Sequence, residues 1–386
     1  MSQSQALDAI IIGAGIAGAS VGYFLSERAR VLVLERESQP GVHSTGRSAA
    51  LFSETYGPAQ VRALTRASRA FFEKPPPGFA AHELLAPRGV LVIGDASQRA
   101  QVESDFESMS ADVEGLRLLD TARMRALVPV LEAGHAHLGL HEPGAADIDV
   151  NSLHQGFLRG LRQRGGRLEC DAHILSIERS HGEWLLEVTM RGAPHPLRAP
   201  ILIDAAGAWA DEVARLAGVA PLGVEPRRRT AFLFAPPPGV DVAHWPFVTS
   251  ITEDFYFKPD AGLLLGSPAN ADPVPPHDVQ PEDLDIALAI DAIERVTTLR
   301  IERPMRPWAG LRNFVSDGGL VGGFDPVTPG FFWMAALGGY GIQTCAAMGE
   351  ACAHLALGRD FAGPLVDAGI TREMLGVERL GSRGAV

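Results

Sequence analysis

Apolar residues along this chain come in short blocks whose period changes from one segment to the next. Ala9–Ile12 and Val31–Leu34 contain no polar position, as expected of strands buried on both faces of a parallel sheet. Residues 16–27 between them read as a helix, so the three segments predict a βαβ unit. Residues 59–72 have helical spacing and stop before Pro75-Pro76-Pro77, and residues 89–93 read as a strand. A helix is expected over 151–164, ended by Gly165-Gly166. Strands should follow at 167–170, 173–178 and 184–189, with Gly182 at a hairpin turn. Residues 199–204 form a further buried strand that runs into Ala205-Ala206-Gly207 and a helix from about Trp209. Residues 227–234 alternate as a half-buried strand ended by Pro236-Pro237-Pro238-Gly239, and 283–297 are helical. The last periodic stretch is a strand at 331–336, then Gly338-Gly339-Tyr340-Gly341, then a helix of small residues to about Leu357. The tail from Gly381 is expected to be loose.

The segments that suit a nucleotide fold lie at the start, middle and end, so a second domain must be inserted between them. At 386 residues the chain also exceeds one ordinary core. The division expected is residues 1–80, 146–215 and 308–386 for the first domain, and 81–145 and 216–307 for the second. A net charge of −12 argues against nucleic acid or an anionic membrane as partner. Cys170, Cys345 and Cys352 form neither a paired framework nor a zinc spacing, which suits a reducing compartment and makes the cytoplasm the expected location. Residues 6–25 are nearly continuous apolar sequence. Gly13, Gly15, Gly18 and Gly22 interrupt them and no Lys or Arg precedes them, so neither a membrane span nor a signal peptide is expected. The twelve histidines show no metal-binding pattern, and no metal is expected.

Gly13-Ala14-Gly15-Ile16-Ala17-Gly18 is a G-x-G-x-x-G placed between strand and helix. The first glycine permits a tight turn, the second lets the backbone approach a pyrophosphate, and the third lets helix and sheet pack closely. Helix N–H groups then face the phosphate charge. Glu35 ends the second strand, where an acid gripping ribose hydroxyls belongs. Both NAD and FAD suit this unit. Two features favour FAD: the small residues of Ala205-Ala206-Gly207 after a later strand, and a late helix start at residues 338–344. That second helix N-terminus is suited to face the pyrimidine carbonyl of an isoalloxazine.

The blocks LERESQPGVHSTGRSAA, IDAAGAW, RRRTAFLFAPPPG, FYFKPDAGLLLGSPANADP, WAGLR and GGYGIQT extend over nearly the whole length. With them the chain resembles the FAD-dependent D-amino-acid oxidase superfamily, most closely the bacterial D-arginine dehydrogenases. The resemblance implies an α/β fold: a Rossmann-type FAD-binding domain with an inserted α+β substrate domain. It implies that Arg312 pairs with a substrate carboxylate and that Tyr256 hydrogen-bonds the same group. Arg229 should sit beside flavin and substrate, Tyr56 should cap the site from a mobile loop, and Gly339 should offer its carbonyl to the substrate amine. The cofactor contacts it implies are Arg36, Ser44, Thr45, Gly46, Arg47, Ser48, Ala49, Ala50, Ile174, Ala206, Gly207, Gly338, Tyr340, Gly341, Ile342, Gln343 and Thr344, beside the glycine loop and Glu35. It also implies oxidative deamination of a small D-amino acid, with electrons passed to a separate acceptor such as a quinone. An oxygen-using oxidase and a flavin-binding protein without amine chemistry are the alternatives.

Two departures bear on the substrate. In the D-arginine enzymes a carboxylate shortly after a Pro-Arg pair binds the cationic side chain, and here Val90 holds that place. A histidine of the lid segment is replaced by Leu51. Both changes make the pocket more apolar, so neutral or apolar side chains are expected to be preferred. Glu54, expected on an exposed loop, is the one nearby acid. Strand alternation puts Arg227 and Arg229 on one face and Arg228 on the other, and the plain alternative for the triplet is a solvated basic edge. Arg312 has a similar alternative as a structural ion-pair residue, and Tyr56 and Tyr256 as core tyrosines. Cys345 and His43 are the candidates for a covalent flavin tether, but helix packing and a loop role explain them, so FAD is expected to be non-covalent.

Overall fold

The computed structural model describes residues 6–381, so the outermost residues of the expected loose tail lie outside the described residues. The first sheet has six strands in the order Val321–Phe324, Phe331–Ala335, Ile201–Asp204, Ala9–Ile12, Val31–Leu34, Arg167–Glu169. All neighbours are parallel except the first pair. The unbroken apolar runs are explained by what covers each face. Ala9, Ile11, Val31 and Val33 pack with Ala14, Ala17, Val21 and the helix Gly341–Ala356 on one side. Ile10, Ile12, Leu32 and Leu34 pack with Trp184, Leu186 and Val188 of an antiparallel three-stranded sheet on the other. Helices Ile16–Leu25 and Gly341–Ala356 approach closely because Gly349 has no side chain: a Cβ there would lie 2.8 Å from the Ser20 Cβ.

The second sheet is larger and largely antiparallel. Its path runs Asp272–Pro273, Glu225–Phe234, Leu263–Ser267, Tyr256–Asp260, Phe247–Ser250, Val90–Gly94, Leu138–Glu142, Arg117–Asp120. Met305–Phe314 pairs along Glu225–Phe234, so the expected domain boundary at residue 308 falls inside a single strand of this sheet. Helix Asp283–Val296 covers one face, with Ile286, Ala289 and Ile293 against Phe232, Phe234 and Leu264.

The expected elements are present with shifted ends. The first helix stops at Leu25, and the strand expected from residue 199 starts at Ile201 because Ala199 closes the preceding strand, Ala193–Ala199. Gly182 has φ +84°, the left-handed backbone its hairpin turn requires. Tyr256–Asp260, Leu263–Ser267, Met305–Phe314 and Leu138–Glu142 are strands that the periodicity did not announce. Among the described residues no helix is long and apolar enough to cross a membrane.

Arg228 corrects the solvated basic edge. Its guanidinium is buried against helix Asp283–Val296, with Nε 2.9 Å from Asp285 Oδ2, a further contact to Glu282, and Asp272 at 3.6 Å. Asp285 also accepts from Thr230 Oγ1 at 2.6 Å and from Asn270 Nδ2 at 3.1 Å. This cluster fastens the helix to the strand that carries Arg229. Replacing Asp285 by Ala leaves Arg228 buried with fewer partners, and a loss of about 3 kcal/mol is expected in denaturant unfolding, with Asp285→Asn losing less.

Candidate active site

The strands Ala9–Ile12, Val31–Leu34 and Ile201–Asp204 end together at a long cleft of about 370 Å³. Gly13 has φ +97°, and a Cβ on it would lie 2.5 Å from the Ala205 carbonyl oxygen, so only glycine fits between the two strand ends. A Cβ on Gly18 would lie 1.9 Å from the Gly13 oxygen, which is the packing constraint expected of the third glycine. Gly15 caps the helix with no side-chain hydrogen bond, leaving first-turn N–H groups facing the cleft. One of them, Ile16 N–H, donates to Thr45 Oγ1 at 2.9 Å. Glu35 is held by two backbone donors, Ala14 N–H to Oε2 at 2.8 Å and Glu37 N–H to Oε1 at 3.0 Å. Its carboxylate is thus fixed at the strand end, where a diol can meet it.

Beyond Glu35 the cleft is lined by Ile174, Arg36, His43 and Trp209. The Arg36 guanidinium lies 4.6 Å and the His43 ring 4.7 Å from the Trp209 ring centre, and His43 Nε2 is 2.9 Å from Glu37. At the other end the cleft meets Ser48, Ala49, Trp308, Gly310, Gly338 and the first turn of helix Gly341–Ala356. The slot therefore joins a phosphate-facing helix start to a second helix start. These residues fit a dinucleotide with a large ring at the second end.

Most residues expected at the cofactor lie on this cleft: Gly13, Gly15, Ile16, Ala17, Glu35, Arg36, Ser44, Thr45, Arg47, Ser48, Ala49, Ile174, Ala206, Gly207, Gly338, Gly341 and Ile342. Ala14, Gly18, Gly46, Tyr340 and Thr344 do not line it. Gly46 is turned toward the Gly41 carbonyl, Tyr340 packs edge-on against Tyr56, and Thr344 Oγ1 donates back to the Tyr340 carbonyl. Ala50 and Gln343 line a second cavity instead. Trp209 and Leu34 are cleft residues that motif reading did not assign, although each lies in a block that carries the resemblance, and His43, weighed above only as a flavin tether, lines the cleft too.

The second cavity, of about 170 Å³, shares Arg229, Tyr256, Arg312, Gly339 and Ile342 with the cleft, so the two spaces adjoin at those residues. Leu51, Val90, Val92, Met109, Leu140 and Phe247 give it an apolar wall. Asp105 and Glu253 line it too; Asp105 is half-buried and Glu253 exposed, so these acids sit where it meets solvent. Neither was found by sequence reading, because each comes from a segment with no motif.

Register explains the cationic end. Arg227 stands opposite Arg312 and Arg229 opposite Gly310, so these side chains leave one face of the strand pair while Arg228 leaves the other. Arg229 Nε donates to the Asn270 carbonyl at 2.6 Å, and Arg312 Nη1 donates to the Tyr56 hydroxyl at 3.0 Å. Burial, then repulsion from Arg312, lowers the Arg229 pKa to about 10. Burial also opposes the Arg312 charge, yet the Tyr56 and Tyr256 hydroxyls around it leave its pKa above the usual value. Both groups therefore stay charged at neutral pH. Among the described residues neither is in an ion pair with a carboxylate. The bare backbone of Gly339 leaves room for Arg312, since a Cβ would lie 2.8 Å from the guanidinium carbon and would push that group aside. Tyr256 is buried and stacked on Phe247 with ring centres 5.0 Å apart.

Glu54 departs from the exposed loop position expected for it. It is buried and pairs with Arg69 Nε at 2.6 Å, because the segment carrying it is clamped between helix Ala59–Glu73 and the second sheet. The tether candidates are poorly placed as well. Cys345 is fully buried in a hydrophobic cluster that pushes its thiol pKa up, and His43 lies at the Trp209 end.

The model of the family described as FAD dependent oxidoreductase matches residues 8–355. The chain is 24% identical over 412 residues to the bovine (Bos taurus) FAD-dependent oxidoreductase domain-containing protein 1, covering 92% of this chain and 82% of that protein. It is 33% identical over 103 residues to human mitochondrial dimethylglycine dehydrogenase, covering 26% of this chain and 11% of that one. Among solved structures, glycine oxidase from Geobacillus kaustophilus superposes with a TM-score of 0.79 at 20% identity, covering 95% of this chain and 98% of the other. Iminodiacetate oxidase from Chelativorans sp. gives 0.77 at 22% identity, covering 93% and 98%. At these identities the superpositions establish the fold, which is the mixed α/β fold expected. The glycine loop, the fixed Glu35 and the family match over most of the length agree: this chain belongs to the FAD-dependent oxidoreductase family and takes FAD as its cofactor.

Proposed function

We propose that this protein oxidises the Cα–N bond of a D-amino acid with a neutral or apolar side chain. One observation carries the reading: two guanidinium groups, Arg229 and Arg312, without a carboxylate partner among the described residues, stand where the cofactor cleft meets an apolar cavity. A guanidinium fork suits a carboxylate bidentately, and a charged pair of this kind is a natural anchor for one. In this reading Arg312 and Arg229 hold the substrate carboxylate and Tyr256 donates to it. The Gly339 carbonyl accepts from the amine, and Leu51 and Val90 receive the side chain. Bound FAD supplies the two-electron acceptor for the α-hydrogen, which leaves as hydride. The names of similar proteins, glycine oxidase, iminodiacetate oxidase and dimethylglycine dehydrogenase, support amine chemistry of this kind.

A second reading, a basic side chain such as that of D-arginine or D-lysine, is favoured by Asp105 and Glu253 on the same cavity. Attraction from acids that meet solvent is worth less than about 1 kcal/mol, whereas burying a Leu-sized side chain against Val90 and Leu51 gives roughly 1.5–3 kcal/mol. The apolar substrate is therefore the stronger expectation.

Acid precipitation should release all of the yellow chromophore as free FAD, since neither Cys345 nor His43 faces the ring end of the cleft; colour retained in the pellet refutes this. Arg312→Ala should keep its FAD and lose about 2–5 kcal/mol of transition-state binding, read as a raised KM and a lower kcat/KM on the best substrate. Near-normal kcat/KM would remove Arg312 from the anchor. The substrate class is decided by anaerobic flavin bleaching with both enantiomers of leucine, methionine, phenylalanine, arginine and lysine. D-leucine, D-methionine or D-phenylalanine should lead. A lead for D-arginine or D-lysine would move the side-chain site to Asp105 and Glu253, and a lead for an L-enantiomer would overturn the stereochemical assignment.

A further inference from the structure

Glu142 is a buried acid that no step above uses. It ends strand Leu138–Glu142 directly opposite Val90, so both side chains leave the same face of the second sheet. Val90 reaches the cavity and Glu142 does not line it. The Glu142 residue is 1% exposed, and burial pushes its carboxyl pKa up. Among the described residues no cation pairs with it. A lone buried carboxylate is strongly disfavoured unless donors surround it.

The donors all come from one short piece of chain. Glu142 Oε2 accepts from Ser53 Oγ at 2.7 Å, from Thr55 Oγ1 at 2.7 Å and from Thr55 N–H at 3.3 Å, while Oε1 accepts from Glu54 N–H at 2.8 Å. Both oxygens are thereby occupied, which leaves the group committed to this segment instead of to a bound cation. The next residue is Tyr56, whose hydroxyl receives Arg312 Nη1 at 3.0 Å. On its other side the segment is held by helices Ala59–Glu73 and Gly341–Ala356. Arg69 takes Glu54 at 2.6 Å, and Gln343 Oε1 accepts from Ser53 N–H at 3.3 Å. Gly57, with φ +92°, turns the chain away immediately afterwards.

We propose that Glu142 is a positioning residue. It fastens residues 53–55 to the second sheet, and so fixes the Tyr56 hydroxyl against Arg312 and sets the geometry of the carboxylate anchor. The proposal rests on the reading of Arg312 as that anchor, but its first test does not. In Glu142→Gln the side chain keeps its shape, while an amide N–H₂ replaces one acceptor and confronts donors. Amide hydrogen exchange in the holoenzyme should quicken at least about tenfold at Glu54 and Thr55, with Ala9–Ile12 unchanged. FAD content should be equal to wild type. KM for the best D-amino acid should rise about ten- to a hundredfold with kcat changed less than about threefold.

A double-mutant cycle with Tyr56→Phe should be non-additive, because both changes act through one hydroxyl. If Glu142→Gln fails to fold, Thr55→Val, which removes one donor from the carboxylate, gives the same readouts on a smaller scale. Unchanged exchange at Glu54 and Thr55 overturns the clamp. Faster exchange with an unchanged KM, or an additive cycle, reduces Glu142 to a structural role and overturns the positioning. A wild-type protein that turns over no D-amino acid refutes the proposed substrate, and the exchange measurement then still decides the clamp.

Discussion

The site depends on keeping two guanidinium groups charged in one largely apolar space. Arg229 and Arg312 repel each other and both lose water, and the pKa of about 10 at Arg229 records that cost. The cost is offset by neutral acceptors: the Asn270 carbonyl for one, the Tyr56 hydroxyl for the other. Neutral acceptors hold a cation without cancelling it, so the charge stays available to an incoming anion. Much nearby structure follows from that need. A side chain at Gly339 would displace the Arg312 guanidinium from its present position. The strand pairing of Glu225–Phe234 with Met305–Phe314 places both cations on one face. On the opposite face Arg228 is neutralised by Asp285, so the strand is anchored by one arginine while its neighbour keeps its charge uncancelled.

The portions of the molecule that were legible in the sequence are those whose physics is local. A four-residue apolar run, a glycine turn and a terminal acid lie within one βαβ unit, and each constrains its neighbours a few residues away. The third glycine facing Gly13 and the acid receiving Ala14 N–H are direct consequences of that spacing. Alternation along a strand likewise set Arg227 and Arg229 on one face and Arg228 on the other, while singling out Arg229 rested on the resemblance. Alternation does not say what covers the opposite face, which is why Arg228 read as solvated. The acids that bury it, Glu282 and Asp285, lie more than fifty residues on, at the start of a helix whose docking the pattern does not reveal. Asp105 and Glu253, which reach the pocket from a helix and a turn, and Glu142, which strand order sets opposite Val90 outside the pocket, were invisible for the same reason. Glu54 shows the converse case. Its sequence looks like a loop, and its burial depends on Arg69 one helix away.

Backbone strain is present along the same seam, as it is at several turns elsewhere in the chain. Ala50 and Ala336 occupy positive φ, at 39° and 55°, and Gly57 and Gly338 do so at 92° and 54°. A non-glycine residue held there costs on the order of 1–3 kcal/mol and persists only where surrounding contacts over-determine it. Ala50 precedes the strand Leu51–Phe52 that leads into the clamped segment, and Ala336 precedes the glycines beside Arg312. Both arms that meet at the cation pair are thus bent into place by packing, and both are tied down by hydrogen bonds immediately after the bend. A rigid anchor is the physical outcome, since neither arm can relax without breaking several of those bonds at once.

The same charge arrangement has a consequence for the substrate amine in the proposed chemistry. Removing the α-hydrogen as hydride leaves positive charge on the Cα–N unit, which a free nitrogen lone pair can share and an ammonium cannot. An amino acid in neutral water carries its nitrogen protonated. Two guanidiniums near the bound molecule oppose a third positive charge, with one partly offset by the substrate carboxylate and the other not. At an effective dielectric of about 20 a unit charge some 6 Å away contributes roughly 3 kcal/mol, equivalent to about two pKa units. A bound ammonium with an ordinary pKa above neutrality is thereby drawn toward neutral pH. In this reading the Gly339 carbonyl accepts an N–H from the free amine and orients it; it would bind an ammonium more strongly, so the repulsion of the two cations has to outweigh that preference. In this reading, anchoring the carboxylate and freeing the amine are two effects of one pair of cations, and a carboxylate of the protein's own beside the pair would weaken both.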